Sequence, residues 1–113
     1  ADEAFVAQAQ AAVEAAIADE HFGVDALAEV LCLSRRQTER KIRALTGVSP
    51  ADFIRLIRLS RAASLLAQRY GTVSEVAYAC GFPNASYFAR VFRERYGVAP
   101  SEWADERAKG EGG

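Results

Sequence analysis

Arg36, Glu39, Arg40 and Arg43 lie within one predicted helix, and Ser86, Ala89, Arg90 and Arg93 recur at the matching positions fifty residues later. At about 100° per residue each set occupies roughly a 100° arc, with Thr38, Ile42 and Leu45 opposite the first set and Phe88 and Phe92 opposite the second. One face can therefore anchor to a core while the other offers long cationic donors. A planar guanidinium bonds both O6 and N7 of guanine, or clamps a phosphate, so the chemistry on offer is recognition of a polyanion, base edges included. Glu39 can accept from a cytosine amino group or orient Arg36 and Arg43, its i−3 and i+4 neighbours. Arg35 and Gln37, in the first turn of the same helix, join the first candidate set. The second face is poorer: Ser86 and Ala89 replace Arg36 and Glu39, leaving phosphate clamping and at most a thymine-methyl contact through Ala89. Sequence discrimination is expected mainly from the first copy.

The elements that position these faces form an internal repeat. Val24, Leu27, Ala28 and Leu33 match Val73, Val76, Ala77 and Phe82 at an offset of 49; Arg40, Ile42, Arg43, Gly47, Val48 and Pro50 match Arg90, Phe92, Arg93, Gly97, Val98 and Pro100 at 50. The second copy thus carries one extra residue in its turn. Two copies are too few for a solenoid, so they are expected to share a core through whatever joins them. Every patterned segment has helical period, which predicts an all-α chain. An amphipathic first helix spans residues 2–19, with Phe5, Ala9, Val13, Ala16 and Ile17 on one stripe. Gly23 opens a short helix over residues 24–31. Ser34 to Gln37 reads as a capping box before a helix that stops at Gly47, and Thr72 to Glu75 as a second before a helix to Cys80. Between them, Ser49 and Pro50 start a twenty-residue helix to Arg69 that buries Phe53, Leu56, Ile57, Ala63 and Leu66 and ends near Tyr70 and Gly71. Its length, on the order of 30 Å, is close to one duplex turn. Asn84 caps the second reading helix, which runs to Tyr96. Pro100 starts a short last helix that packs Trp103, and a solvated, flexible tail is expected from residue 104 or 105 to 113. The organisation expected is a helical lead (1–22), a first helix-turn-helix (23–48), a linker helix (49–70) and a second helix-turn-helix with its closing helix (71–104), before that tail.

Charge supports a polyanion partner despite a net value of −1. Residues 1–29 hold seven acids and no Lys or Arg, whereas residues 30–100 hold twelve bases against four acids. Arg55, Arg58 and Arg61 on the linker helix have two readings, contact with backbone phosphate or ion pairs with the acidic first segment. Cys32 and Cys80 have no CxxC partner and sit in apolar helical patterns, which predicts buried free thiols in a reducing, cytoplasmic compartment. No apolar run reaches the roughly 20 residues of a membrane span. A lone His21, expected at the surface, and the lack of a cysteine cluster or Gly-rich phosphate loop leave no residues for metal or hydrolytic catalysis, and no cofactor is expected. Trp103 and the phenylalanines are expected in the core, and Tyr87 either there or at a phosphate. The chain has no methionine, which reads as a fragment of a longer protein whose sensing part lies elsewhere.

Val73-Ser74-Glu75-Val76-Ala77, Gly81-Phe82, Ser86-Tyr87-Phe88, Arg90, Phe92-Arg93, Gly97 and Pro100 closely resemble the signature of the AraC/XylS family of bacterial transcription regulators. Leu27-Ala28, Ser34, Arg40, Gly47, Ser49-Pro50, Phe53, Arg58-Leu59, Ala62 and Leu65-Leu66 resemble the first half of the same domain, over about residues 23 to 104 in all. The resemblance implies seven helices in two helix-turn-helix units joined by a long helix, binding double-stranded DNA through two recognition helices in successive major grooves. It implies groove-facing positions at Arg36, Glu39, Arg40 and Arg43, then Asn84, Ala85, Ser86, Ala89 and Arg90, with RNA polymerase as a further partner. The lead over residues 2–22 is similar to the segment before this domain in hybrid two-component regulators, which implies an upstream receiver or sensor kinase. The reading from another class is a helical module docking an acidic protein partner. Two residues depart from the family pattern: Thr38 stands where a core leucine is usual, which should loosen the first reading helix, and Cys32 where the turn usually has glycine. If Cys32 takes φ > 0, it stores strain of about 1 kcal/mol or more.

Overall fold

Caps written in the sequence start and stop most of these helices. The computed structural model describes residues 1–112, with side chains as far as Arg107; Gly113, the end of the expected tail, lies outside the described residues. Seven helices follow in order: α1 (Asp2–Ala15), α2 (Val24–Val30), α3 (Arg35–Thr46), α4 (Pro50–Ala67), α5 (Val73–Ala79), α6 (Ala85–Tyr96) and α7 (Pro100–Gly112). No strand occurs among the described residues. Ser34 and Thr72 are extended N-caps whose hydroxyls each accept from the amide three residues on, at 3.1 Å. Gln37 and Glu75 accept in return from the capping residue's N–H, at 2.9 and 3.1 Å, so two otherwise orphan donors are satisfied at each start. Asn84 caps α6 alone, its Oδ1 accepting from the Tyr87 amide at 2.8 Å. Gly47 and Gly97 end the two reading helices in the left-handed region at φ 79° and 80°.

The turns of both copies close in the same way. After α2, the Cys32 amide donates to Glu29 O and the Leu33 amide to Ala28 O; after α5, Gly81 donates to Tyr78 O and Phe82 to Ala77 O. This pairing is the Schellman arrangement, which needs a left-handed residue just past the helix. Gly81 supplies it at φ 82°, and Cys32 is forced into it at φ 58°. α4 ends likewise, with Arg69 at φ 57° and Tyr70 donating to Leu65 O. Its last helical residue is therefore Ala67, two short of the expected Arg69, and the left-handed position falls on Arg69 rather than Gly71.

Two compact units divide the chain, Ala1–Arg58 and Leu59–Gly113, and the division falls inside α4. The first unit packs Ala9, Val13, Phe22, Leu27, Leu31, Ile42, Phe53 and Ile54 into one core. α1 stops at Ala15, four residues earlier than expected, and a string of turns carries residues 16–22 back over the unit. Arg58 holds that string. Its guanidinium, buried with the core, donates to the carbonyls of Ile17, Asp19 and Phe22, the last two at 2.9 and 3.1 Å. Those three acceptors are backbone oxygens, and burial removes Arg58 from the candidates for phosphate contact.

The second unit buries Leu59, Ala62, Ala63, Leu66, Val76, Ala77, Cys80, Phe82, Phe88, Val91 and Phe92. Aromatic rings run through it, with centroids 4.8 Å apart for Phe82 and Phe88, 5.5 Å for Phe88 and Phe92, and 5.8 Å in an edge contact of Phe92 with Trp103. Each such ring is worth roughly 1.5–3 kcal/mol of burial, before any preference for tilted geometry. The Trp103 indole N–H donates to Ala63 O at 3.0 Å, tying α7 to α4. Thus each unit closes a core of its own, and α4 contributes residues to both. That is why Leu56, expected inside, is exposed while Ile54, Leu59 and Ala62 are buried: a single stripe cannot describe a helix that serves two cores. α7 also runs on to Gly112, beyond the point where its sequence pattern fades.

Candidate nucleic-acid interface

On α3 the inward positions are Thr38 and Ile42, both with no exposed surface. Thr38 replaces an apolar contact by a hydrogen bond, its hydroxyl donating to Ser34 O at 2.9 Å, so no buried polar atom is left orphaned. On the same helix Arg35, Arg36, Gln37, Glu39, Arg40 and Arg43 are all exposed. Arg36, Arg40 and Arg43 have no acidic partner among the described residues, so three guanidinium forks project from one arc without a competitor.

Arg35 is different. Its Nη1 lies 2.8 Å from Oδ1 of Asp25 on α2 and its Nε 3.5 Å from Oε1 of Glu39. The hydrogen bond that Arg35 donates to Asp25, then the charge of Asp25, and less strongly Glu39, hold its proton still more firmly than in a free arginine. Glu39 therefore pairs with Arg35, one turn back, and not with Arg36 or Arg43 as expected, because the two carboxylates bracket the same guanidinium. Gln37 spends its Oε1 on the cap, leaving its amide nitrogen as a donor.

On α6 the inward positions are Phe88, Val91 and Phe92, and Asn84, Ser86, Arg90 and Arg93 are exposed, with Ala85 and Ala89 half-buried beside them. Arg90 reaches Oε1 of Glu94 at 3.5 Å and lies 5.2 Å from the centre of the half-buried Tyr87 ring. Arg93 has no acidic partner among the described residues. Each of the two sets is contiguous on its own helix.

Two residues of this region, Lys41 and Asp25, were not picked out from the sequence. Lys41 sits beside Arg40 and places its ammonium 4.3 Å from the centre of the Phe5 ring, which couples α3 to α1. With Leu33, Gln37, Arg40 and Ala44 it lines an open depression of about 500 Å³ on α3. Helical spacing could have flagged Lys41. Nothing local could have flagged Asp25, ten residues from Arg35, since their meeting depends on how α2 packs on α3. Among the linker arginines, Arg55 pairs with Asp52 of its own helix. Cys32, expected to be buried, is exposed at its turn, whereas Cys80 is buried as expected. The described residues hold no group of three His, Cys, Asp or Glu able to bind a metal ion, and among them no helix is long and apolar enough to cross a membrane.

Comparison with known proteins places this geometry. A family model described as a helix-turn-helix domain matches residues 27–106. The chain is 36% identical over 102 residues to histidine kinase P4 of Formosa agariphila, a match covering 90% of this chain and 7% of that protein. It is similar to a transcriptional regulator of Chromobacterium violaceum with AraC-type DNA-binding domain (TM-score 0.84, 31% identity, 91% of each chain). It is equally similar to the DNA-binding domain of AdpA, a global transcriptional factor solved with a target DNA (TM-score 0.83, 32% identity, 96% of this chain and 97% of that one). The curated relatives it matches are much longer, and the chain spans between 7% and 28% of their length.

Proposed function

This chain belongs to the AraC/XylS family of helix-turn-helix transcription regulators, and from that premise we propose that it binds double-stranded DNA sequence-specifically, α3 and α6 occupying successive major grooves. It acts as the output module of a bacterial regulator. The observation that carries this reading is the outward arc of α3, where the guanidiniums of Arg36, Arg40 and Arg43 are exposed and have no acidic partner among the described residues, opposite the buried Thr38 and Ile42. Such forks reach guanine O6 and N7 with two bonds each, a contact that separates bases. α6 offers Arg90 and Arg93 with Asn84, Ser86 and Ala89, which suits phosphate clamping with little base discrimination. Arg35 and Gln37 flank the first set.

The similarity to a protein named as a histidine kinase supports an upstream receiver or sensor domain in the parent protein. RNA polymerase is the further partner such a regulator requires, and the cytoplasm the compartment in which it meets DNA. The domain itself is read as a binding module and not as an enzyme.

Selection of bound sites from a random duplex library tests the reading. Enrichment of two half-sites about 10–10.5 base pairs apart is the expected result. Binding without enrichment of any motif, or preference for an acidic protein over every duplex, would overturn it.

A further inference from the structure

Asp25 belongs to α2, which carries none of the candidate groove-facing side chains, yet its carboxylate accepts from the first arginine of α3 across 2.8 Å. Glu39 closes on the same guanidinium from the other side at 3.5 Å. The second copy has no such device: Ser74 stands where Asp25 does, and Ala85 where Arg35 does. Both partners are exposed, 57% for the Arg35 side chain and 80% for Asp25, and an exposed pair adds little to folding stability. Its effect therefore has to be sought in what Arg35 is prevented from doing.

We propose that Asp25 is a positioning residue of the DNA interface: it holds Arg35 away from backbone phosphate and thereby lowers affinity for a duplex of any sequence. The inference rests on the DNA-binding reading. Arg35 is the first residue of α3, at the helix end whose amides already favour an anion. A phosphate bond from it would strengthen all complexes alike, since phosphate contacts carry no base information. To form that bond the guanidinium must leave Asp25, and the abandoned carboxylate then faces the phosphate with like charge. Arg36, Arg40 and Arg43 meet no such competitor among the described residues, so base reading is untouched while one sequence-independent contact is held back.

The test uses the 113-residue chain, a scrambled duplex and a duplex selected from the random library, each titrated between about 50 and 200 mM salt. Asp25→Asn should raise affinity for both duplexes by the same factor, roughly 3- to 10-fold, and steepen the log–log salt dependence by about 0.9. Arg35→Gln leaves the Asp25 carboxylate uncompensated and should weaken both duplexes slightly and equally, and adding Asp25→Asn to it should only reverse that loss, without the gain over the unmodified chain that Asp25→Asn gives alone. Asp25→Ser, which copies the second repeat, serves if the Asn variant does not fold. Unchanged or weakened binding by the Asp25 variants, or a double variant that exceeds the unmodified chain by the same factor as Asp25→Asn alone, would overturn the proposal while leaving the DNA reading intact. Failure of the unmodified chain to bind either duplex would instead sink the DNA reading, and the inference with it.

Discussion

Replacing Cys32 by glycine should stabilise the first unit by about 0.5–1 kcal/mol. Cys32 sits at φ 58°, the position after α2 that Gly81 fills at φ 82° after α5. An L-residue in the left-handed region costs roughly 1–2 kcal/mol, which glycine escapes. Against this, glycine loosens the unfolded chain by about 0.4–1 kcal/mol. Little else is lost, because Cys32 is exposed and its thiol makes only a 4.0 Å contact with Val30 O. For a domain of this size the difference corresponds to about 2–4 °C in melting temperature. Differential scanning calorimetry or circular dichroism under reducing conditions reads it. Two companions isolate the cause: Cys32→Ser keeps a side chain at the same φ and should not stabilise, and Gly81→Ala should destabilise by at least 1 kcal/mol or so. A melting temperature that is unchanged or lowered in Cys32→Gly, or raised equally in Cys32→Ser, would refute backbone strain as the reason. Arg69 also has φ 57°, but its ion pair with Asp105 at 3.5 Å makes it the less clean test.

Arg36→Ala should cost roughly 1–3 kcal/mol on a selected site and relax base preference there, whereas Arg93→Ala should weaken selected and scrambled duplexes alike. Mobility-shift titration on both duplexes separates the two, and equal losses for Arg36→Ala would contradict a reading role. Arg58→Met should lower the stability of the first unit by about 3 kcal/mol, because three carbonyls lose a charged donor at once; an unshifted urea midpoint would argue that the turn at residues 16–22 satisfies itself. Glu75 is held below the ordinary glutamate range by the Thr72 backbone N–H and, next, by the Thr72 hydroxyl. A depressed carboxylate stabilises the fold above its unfolded pKa and ceases to do so as pH falls through the folded one. The advantage of the unmodified chain over Glu75→Gln should thus be complete at neutral pH and fade below about pH 4.3. Urea melts at several pH values check this, and an advantage that grows on acidification would be the wrong sign.

Local rules carried far in this chain because its signals are local. A capping box is four consecutive residues, so Ser34 with Gln37 and Thr72 with Glu75 marked the starts of α3 and α5 before any packing was known. Helical spacing likewise separated Phe88 and Phe92 from Arg90 and Arg93, since a period of 3.6 assigns faces whatever lies on the far side. The φ of Cys32 was legible too, by comparison with Gly81 in the other copy.

Where residues distant in sequence had to meet, spacing had nothing to measure. Arg58 finds its acceptors about forty residues away, on main-chain oxygens that every residue type presents, so no side chain advertised the contact. Arg35 could be counted among the cations of α3 but not known to be occupied, because Asp25 reaches it only once α2 lies against α3. Leu56 and Ile54 have nearly the same hydrophobicity, and which of them is buried depends on the two cores that α4 supplies. Caps, faces and charge segregation were therefore determined by the order of residues alone. Which charges are spoken for, and where one core gives way to the next, were decided by tertiary packing, because a short-range electrostatic or van der Waals contact exists only between groups the fold has already brought together.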